Sequence, residues 1–167
     1  MDIRRERPAD VGAIRRVHQL AFETDAEADL VEALRERARP IVSLVADIEG
    51  AIVGHIMFSP VTLSSDRNML IMGLAPMAVL PARQREGIGS TLVRAGVEEC
   101  VSLEAAAVFV LAHAAYYPRF GFRPASAYAL ASDYNVPDDV FMALELQAGV
   151  LGGKAGTIRY HDAFAGV

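Results

Sequence analysis

The chain contains a single cysteine, Cys100, among its 167 residues, which excludes an internal disulfide framework and any zinc site built from several cysteines. Basic charge is in deficit. Sixteen Lys and Arg stand against twenty-one Asp and Glu, a formal net charge of −5, so the chain lacks the basic footprint of a dedicated DNA or RNA binder. Long apolar runs are missing too. The stretch from Gly50 to Ser65 falls short of the roughly 18 residues of a membrane span, and Pro60 interrupts it. The opening residues, Met1-Asp2-Ile3-Arg4-Arg5-Glu6, carry charge with no apolar stretch behind them, so they lack the middle of a secretory signal and a cytoplasmic protein is expected. Four scattered histidines suggest no metal set.

What is present is material for a core. Hydrophobic residues make up 53% and charged residues 22%, and the length suits one domain at roughly 100 to 200 residues each. The expected organisation is one domain over residues 1–147 with a C-terminal extension, residues 148–167, packed on the same domain.

Ile3 opens a short strand, and Pro8 suits the first turn of a helix whose apolar positions are Val11, Ile14, Val17, Ala21 and Phe22. Thr24-Asp25-Ala26-Glu27 fits a capping box for a second helix, with Leu30, Val31, Leu34 and Ala38 along one face and an end near Arg39. Ile41 to Ile48 and Ala51 to Phe58 are rich in β-branched residues and flank Glu49-Gly50, a turn signal for an antiparallel hairpin. Met69 to Leu80 continues the meander as a long strand in which Pro76 predicts a bulge or a lost ladder bond. Ile88, Leu92, Gly96, Cys100 and Leu103 form a helical stripe, and Ala105 to Ala112 reads as a buried strand after it. A strand, helix, strand unit places its strands parallel, so the sheet is expected to be mixed. Tyr116 to Phe120 suits one helical turn ending at Gly121. Phe122 to Ala131 and Val140 to Leu146 read as final strands, and the glycine-rich tail has no assignment.

The strongest local pattern is Pro81-Ala82-Arg83-Gln84-Arg85-Glu86-Gly87-Ile88-Gly89-Ser90, between the long strand and the stripe helix. Amides at a helix start point outward with the positive end of the dipole, and Gly87 and Gly89 let a pyrophosphate come close to the backbone. Arg83 and Arg85 add charge. The pattern lacks the Gly-Lys-Ser/Thr of a P-loop and the third glycine of a dinucleotide fingerprint, which weakens both readings.

Gln84-Arg85-Glu86-Gly87-Ile88-Gly89 resembles the acyl-CoA signature Q/R-x-x-G-x-G/A of the GCN5-related N-acetyltransferases (GNAT). A second block, Tyr116-Tyr117-Pro118-Arg119-Phe120-Gly121-Phe122, resembles the family's segment after the fifth strand, where a tyrosine lies four positions before the glycine of a Gly-Phe pair; Tyr117 is that residue. Ala21-Phe22-Glu23-Thr24-Asp25-Ala26-Glu27, Phe58-Ser59-Pro60-Val61, Gly73-Leu74-Ala75-Pro76 and Tyr160-His161-Asp162-Ala163-Phe164 resemble the YhbS-like branch. The branch often carries Gly-Asp-Pro where this chain has Ala112-His113-Ala114.

The resemblance implies an α+β, single-domain fold with a mixed sheet of about six or seven strands, a central parallel pair and about four helices. It implies direct transfer of an acetyl group from acetyl-CoA, a co-substrate, to a primary amine through a tetrahedral intermediate, with no metal. The acceptor is then a small amine or a protein N-terminal or lysine amine. The backbone of Met77, Ala78 and Val79 would pair with the pantetheine arm, and Gln84, Arg85, Glu86, Gly87, Ile88, Gly89 and Ser90 would hold the pyrophosphate. Tyr117, a phenol that is a donor at neutral pH, would be the general acid toward the departing sulfur. Many members place a glutamate on the fourth strand, whereas Met69 to Leu80 contains no acid. Glu23, Glu27, His113 or a water relay are then the open choices for the base, and His55 is read as a satisfied core histidine. The missing glutamate also keeps a second reading open, a catalytically weak CoA-binding regulatory or interaction domain. Late edge strands in this fold often pair, which allows a homodimer.

Overall fold

Glu49 and Gly50 both adopt positive φ, +52° and +87°, the pair of angles that a tight two-residue hairpin turn demands. They join β2 (Val42–Ile48) to β3 (Ala51–Leu63) in antiparallel register. The computed structural model describes residues 1–166; Val167, the last residue of the expected extension, lies outside the described residues. The α-helices are α1 (Val11–Ala21), α2 (Ala26–Arg37) and α3 (Ile88–Ser102). The remaining strands are β1 (Asp2–Arg5), β4 (Asp66–Val79), β5 (Ala107–Leu111), β6 (Arg123–Pro124), β7 (Leu130–Ser132), β8 (Phe141–Glu145) and β9 (Gly156–Arg159). Hydrogen bonds follow the order β1-β2-β3-β4-β5-β8-β6, with β9 bonded to β3 and β7. The β4–β5 pair is parallel, as the helical crossover between them requires.

There are thus nine strands among the described residues rather than six or seven, and three α-helices rather than four. The expected strand Phe122 to Ala131 is divided: β6 gives way to a 3₁₀ turn, Ala125–Tyr128, which ends where Ala129 takes a left-handed φ of +57° before β7 starts. The glycine-rich tail supplies β9, which the sequence left unassigned. Tyr117–Phe120 is a single 3₁₀ turn, opened by Pro118 in its first positions and closed by Gly121 at φ +97°.

The chain divides into two compact units. The first comprises Met1–Ser59, Ala75–Glu99 and the segment from Asp162. Its buried helix positions, Ile14 and Val17 of α1 and Leu30, Val31 and Leu34 of α2, follow the helical spacing of the sequence. Arg15 of α1 ties the pair together through Asp29 at 3.0 Å and Glu32 at 3.1 Å. The expected capping box is not made. Helix α2 starts one residue past Asp25, whose side chain makes no cap bond, and the Thr24 hydroxyl instead accepts the Ala26 amide at 3.3 Å.

Helix α3 lies tight on β3 because two glycines leave it room. A Cβ on Gly54 would stand 3.1 Å from the side chains of both Ile88 and Leu92, and one on Gly96 would collide with the Phe58 ring. This packing pins the first residue of α3, and with it the loop that precedes it.

The second unit comprises Pro60–Leu74 and Cys100–His161. Its centre is β5, paired parallel with β4 from Ile71↔Ala107 to Gly73↔Phe109 and antiparallel with β8 over its whole length. Parallel pairing therefore stops three residues before Pro76, while β4 itself runs unbroken through that buried proline. Phe109 stacks on Phe141 at 5.6 Å between ring centroids. Lys154 meets Asp66 at 2.8 Å, holding the tail to the start of β4.

Candidate active site

The loop between β4 and α3 is built by backbone conformations that few residues tolerate. Arg85 and Gly87 take φ of +66° and +84°, and a Cβ placed on Gly87 would meet nothing within 4 Å, so the space beside this glycine is open. The first bond of α3 runs from the Thr91 amide to the Gly87 carbonyl at 3.1 Å. The amides of Ile88 and Gly89 precede that bond and therefore have no acceptor within the helix.

Gln84 is turned toward β4, where its side-chain amide donates to the Val79 carbonyl at 3.1 Å. This joins the loop to the strand end containing Met77, Ala78 and Val79. Arg83 is committed to Glu86 through contacts of 3.1 to 3.2 Å, which offsets its charge. Arg85 enters no ion pair among the described residues and is the exposed cation of the loop. The sequence credits both arginines with charge; the i,i+3 pairing of Arg83 with Glu86 leaves one. Ile88 is buried, while Gly89 and Ser90 are half-buried.

Tyr117 belongs to the second unit. It is buried and packs edge-on against Tyr116 at 5.1 Å and Phe122 at 5.5 Å. Burial, followed by the neighbouring Tyr116, raises its phenol above the ordinary tyrosine value, so it stays protonated at neutral pH. Arg119 stacks over the Tyr116 ring at 4.4 Å and donates to the Tyr116 carbonyl at 2.9 Å.

The candidate bases differ in exposure. Glu23 and His113 are exposed, and Glu27 is half-buried in the first turn of α2. The one acid on β4, Asp66, is taken up by Lys154.

A polar chain in the first unit was not legible as a group. The Glu6 carboxylate receives Arg35 at 2.5 Å and the Ser43 hydroxyl. Ser43 Oγ lies 2.8 Å from His55 Nε2, and His55 Nδ1 lies 2.8 Å from His18 Nε2. The carboxylate fixes the direction of the chain: Ser43 donates to Glu6, so its oxygen accepts from His55 Nε2–H, and His55 Nδ1 in turn accepts from His18 Nε2–H. Nδ1 of His18 then carries a lone pair, and it is a buried atom with no hydrogen-bond partner among the described residues. Burial lowers both histidines, His18 to about 3, so both are neutral at pH 7. His55 is the satisfied core histidine its sequence position suggested.

A family profile described as the acetyltransferase (GNAT) domain matches residues 40–124, half of the chain, and spans both the loop and the tyrosine block. The chain belongs to the GNAT acetyltransferase family. It is 35% identical over 165 residues to the Escherichia coli K12 protein named uncharacterized N-acetyltransferase YhbS, covering 98% of each. It is 42% identical over 135 residues to the same organism's uncharacterized N-acetyltransferase YjhQ, covering 78% of this chain and 75% of YjhQ. The crystal structure of Escherichia coli YhbS in complex with CoA superposes with a TM-score of 0.91 at 34% identity, covering 98% of this chain and 91% of that one. A GNAT acetyltransferase from Brucella melitensis, in complex with acetyl-CoA, does so at 0.81 and 36% identity, covering 98% and 97%.

In this GNAT chain no described helix is long and apolar enough to cross a membrane. Among the described residues, no three His, Cys, Asp or Glu side chains gather into a set that could hold a metal ion.

Proposed function

We propose that this GNAT protein acts in the cytoplasm, binding acetyl-CoA and transferring its acetyl group directly to a primary amine, either of a small molecule or of a protein N-terminus or lysine. The observation that carries this reading is the β4–α3 loop, with open space beside Gly87 and first-turn amides directed out of the helix. Support comes from relatives of 34% and 36% identity whose structures contain CoA and acetyl-CoA.

In this reading the amides near Gly87, Ile88 and Gly89 receive the pyrophosphate, helped by Arg85, and the backbone of Met77, Ala78 and Val79 pairs with the pantetheine amides. Gln84, Glu86 and Ser90 shape the loop, Gln84 by its bond to Val79. Thioester chemistry supplies an activated acetyl carbon. The neutral amine adds to that carbon, the tetrahedral intermediate collapses, the C–S bond breaks, and the sulfur leaves as a thiolate. Tyr117 donates its phenolic hydrogen to that sulfur. Its raised pKa means that the donor is always loaded but ionises at a cost, so a proton passed to sulfur is promptly replaced from solvent. The surplus proton of the amine leaves to Glu23, Glu27, His113 or water.

The absence of an unpaired acid on β4 favours one other reading, a CoA-binding regulatory domain with little turnover. Thermal denaturation with CoA tests the binding that both readings require. CoA at about 100 times its dissociation constant should stabilise the fold by about 2.7 kcal/mol. No shift at millimolar CoA would overturn both.

A further inference from the structure

Val79 and Leu80 share a peptide bond whose polar groups go to opposite sides of β4. The Leu80 amide donates to the Val53 carbonyl of β3 at 2.9 Å, and the peptide is trans, so the Val79 carbonyl points to the other edge. One position back, the Ala78 carbonyl faces β3, 3.4 Å from where a Cβ on Gly54 would stand. The Val79 amide therefore points away from β3 as well, and Met77, two residues along the strand, shares its direction. On that other edge, pairing with β5 reaches only from Ile71 to Gly73. The edge open to a ligand is made by Met77 and Val79, while Ala78 turns its polar groups to β3.

One acceptor on this edge is already taken. The Gln84 side-chain amide donates to the Val79 carbonyl at 3.1 Å. The 3₁₀ turn Pro81–Arg83 places it there, and Gln84 closes that turn with its own backbone amide on the Pro81 carbonyl at 3.4 Å. What is left for a ligand is the amides of Met77 and Val79 as donors and the Met77 carbonyl as acceptor.

A pantetheine arm carries amide N–H groups that want an acceptor. With the Val79 carbonyl covered, an arm N–H that comes to this edge is directed to Met77. With it bare, the same N–H has two equivalent places, one register apart.

We propose that Gln84 is a positioning residue that sets the register of the pantetheine arm on β4, by covering the Val79 carbonyl and so fixing how far the sulfur reaches along the strand. The role rests on the CoA binding proposed above; the bond from Gln84 to Val79 does not. A slip of one register would move the sulfur by about 7 Å, two residues at about 3.4 Å each, far more than reacting groups tolerate.

The test is NMR of the isotope-labelled full chain with CoA, reading contacts between the methylene hydrogens beside the CoA sulfur and the amides of β4. It compares the unaltered protein with Gln84→Ala and Gln84→Arg. The unaltered protein should give one set of contacts, and Gln84→Ala a second set displaced along β4 toward Val79. Gln84→Arg, whose guanidinium can donate to the same carbonyl, should restore the single set. ADP, which has the pyrophosphate and no arm, should bind all three alike, which shows that the loop is intact. At saturating acetyl-CoA, kcat of Gln84→Ala should fall about ten-fold or more while CoA affinity changes less than about three-fold, the split expected of a displaced reacting group. One unchanged set of contacts in Gln84→Ala, or an unchanged kcat, would overturn the role of Gln84 and leave CoA binding standing. Failure of CoA to bind the unaltered protein would remove the CoA reading itself, and this role with it.

Discussion

His18 Nε2 donates to His55 Nδ1 across 2.8 Å, joining α1 to β3 with a hydrogen bond between two imidazoles that are both fully buried. The pair must stay neutral. Burial lowers both pKa values, that of His18 to about 3, against about 6.5 in an unfolded chain. Glu6, at the other end of the chain, is lowered to about 2: burial pushes it up, and the nearby His55 ring, with the hydrogen bonds from the Arg35 and Ser43 side chains, outweighs that.

Acid should therefore unfold this protein early. The unfolded chain binds protons at the histidines as pH falls below about 6.5, whereas the folded chain does not, so stability present above that pH is lost toward pH 3. Glu6 adds a second loss between about 4.5 and 2. Urea midpoints measured from pH 8 to pH 4 should fall steadily below pH 6.5. A flat profile down to pH 5 would show that the two imidazoles accept protons in the native state.

Gly96 and Phe58 set a packing limit on α3. Gly96→Ala should destabilise the fold by about 1–3 kcal/mol, because the added methyl meets the Phe58 ring. Combining it with Phe58→Leu should cost less than the two single losses added together, as expected for residues in contact. Denaturant titrations of the four proteins give the coupling, and simple additivity would mean that the ring swings aside without cost.

The meander, the hairpin turn and the α3 stripe were legible in the sequence because each depends on local pattern: β-branched runs, Glu49-Gly50, and Ile88, Leu92, Gly96 and Cys100 at helical spacing. Leu103 was placed on that stripe but lies beyond the end of α3 and is exposed, since position alone does not say where a helix stops. Strand β9 escaped because its pairing partners are distant, Leu63 with Ile158 and Leu130 with Gly156, and a tail rich in glycine carries no strand signal of its own. The loop at Gly87 was readable from its glycines and its place before α3. The Glu6–Ser43–His55–His18 chain was not, because its members come from four segments with no shared spacing. The pairing of Arg83 with Glu86 could have been read from an i,i+3 spacing of opposite charges.

That pairing separates the two loop arginines. Arg85→Ala should weaken CoA binding several-fold, and less so at high salt, whereas Arg83→Ala should change it little, because Glu86 already offsets that charge. Glu86→Gln should leave affinity unchanged or tighten it. Titration calorimetry at two salt concentrations decides. A larger loss from Arg83→Ala would mean that the ion pair opens when CoA binds.

Tyr117→Phe removes a hydroxyl and keeps the ring that packs on Tyr116 and Phe122. Affinity for CoA should hold while the chemical step slows by about 10² to 10⁴, the usual contribution of a general acid. Tyr116→Phe is the matched control. Equal small losses in both would assign the proton to water, and a loss confined to CoA affinity would make Tyr117 a binding residue.

The most direct measurement is mass spectrometry of a primary amine panel incubated with the protein and acetyl-CoA, with thiol release followed in parallel. At least one amine should gain one acetyl group with an equal yield of thiol, and Gly87→Glu, which sets a bulky anion in the open space beside the loop, should abolish both while the protein stays folded. Stable CoA binding with no acetylated amine and no thiol release above the uncatalysed rate would contradict the transfer and leave a CoA-binding regulator in its place.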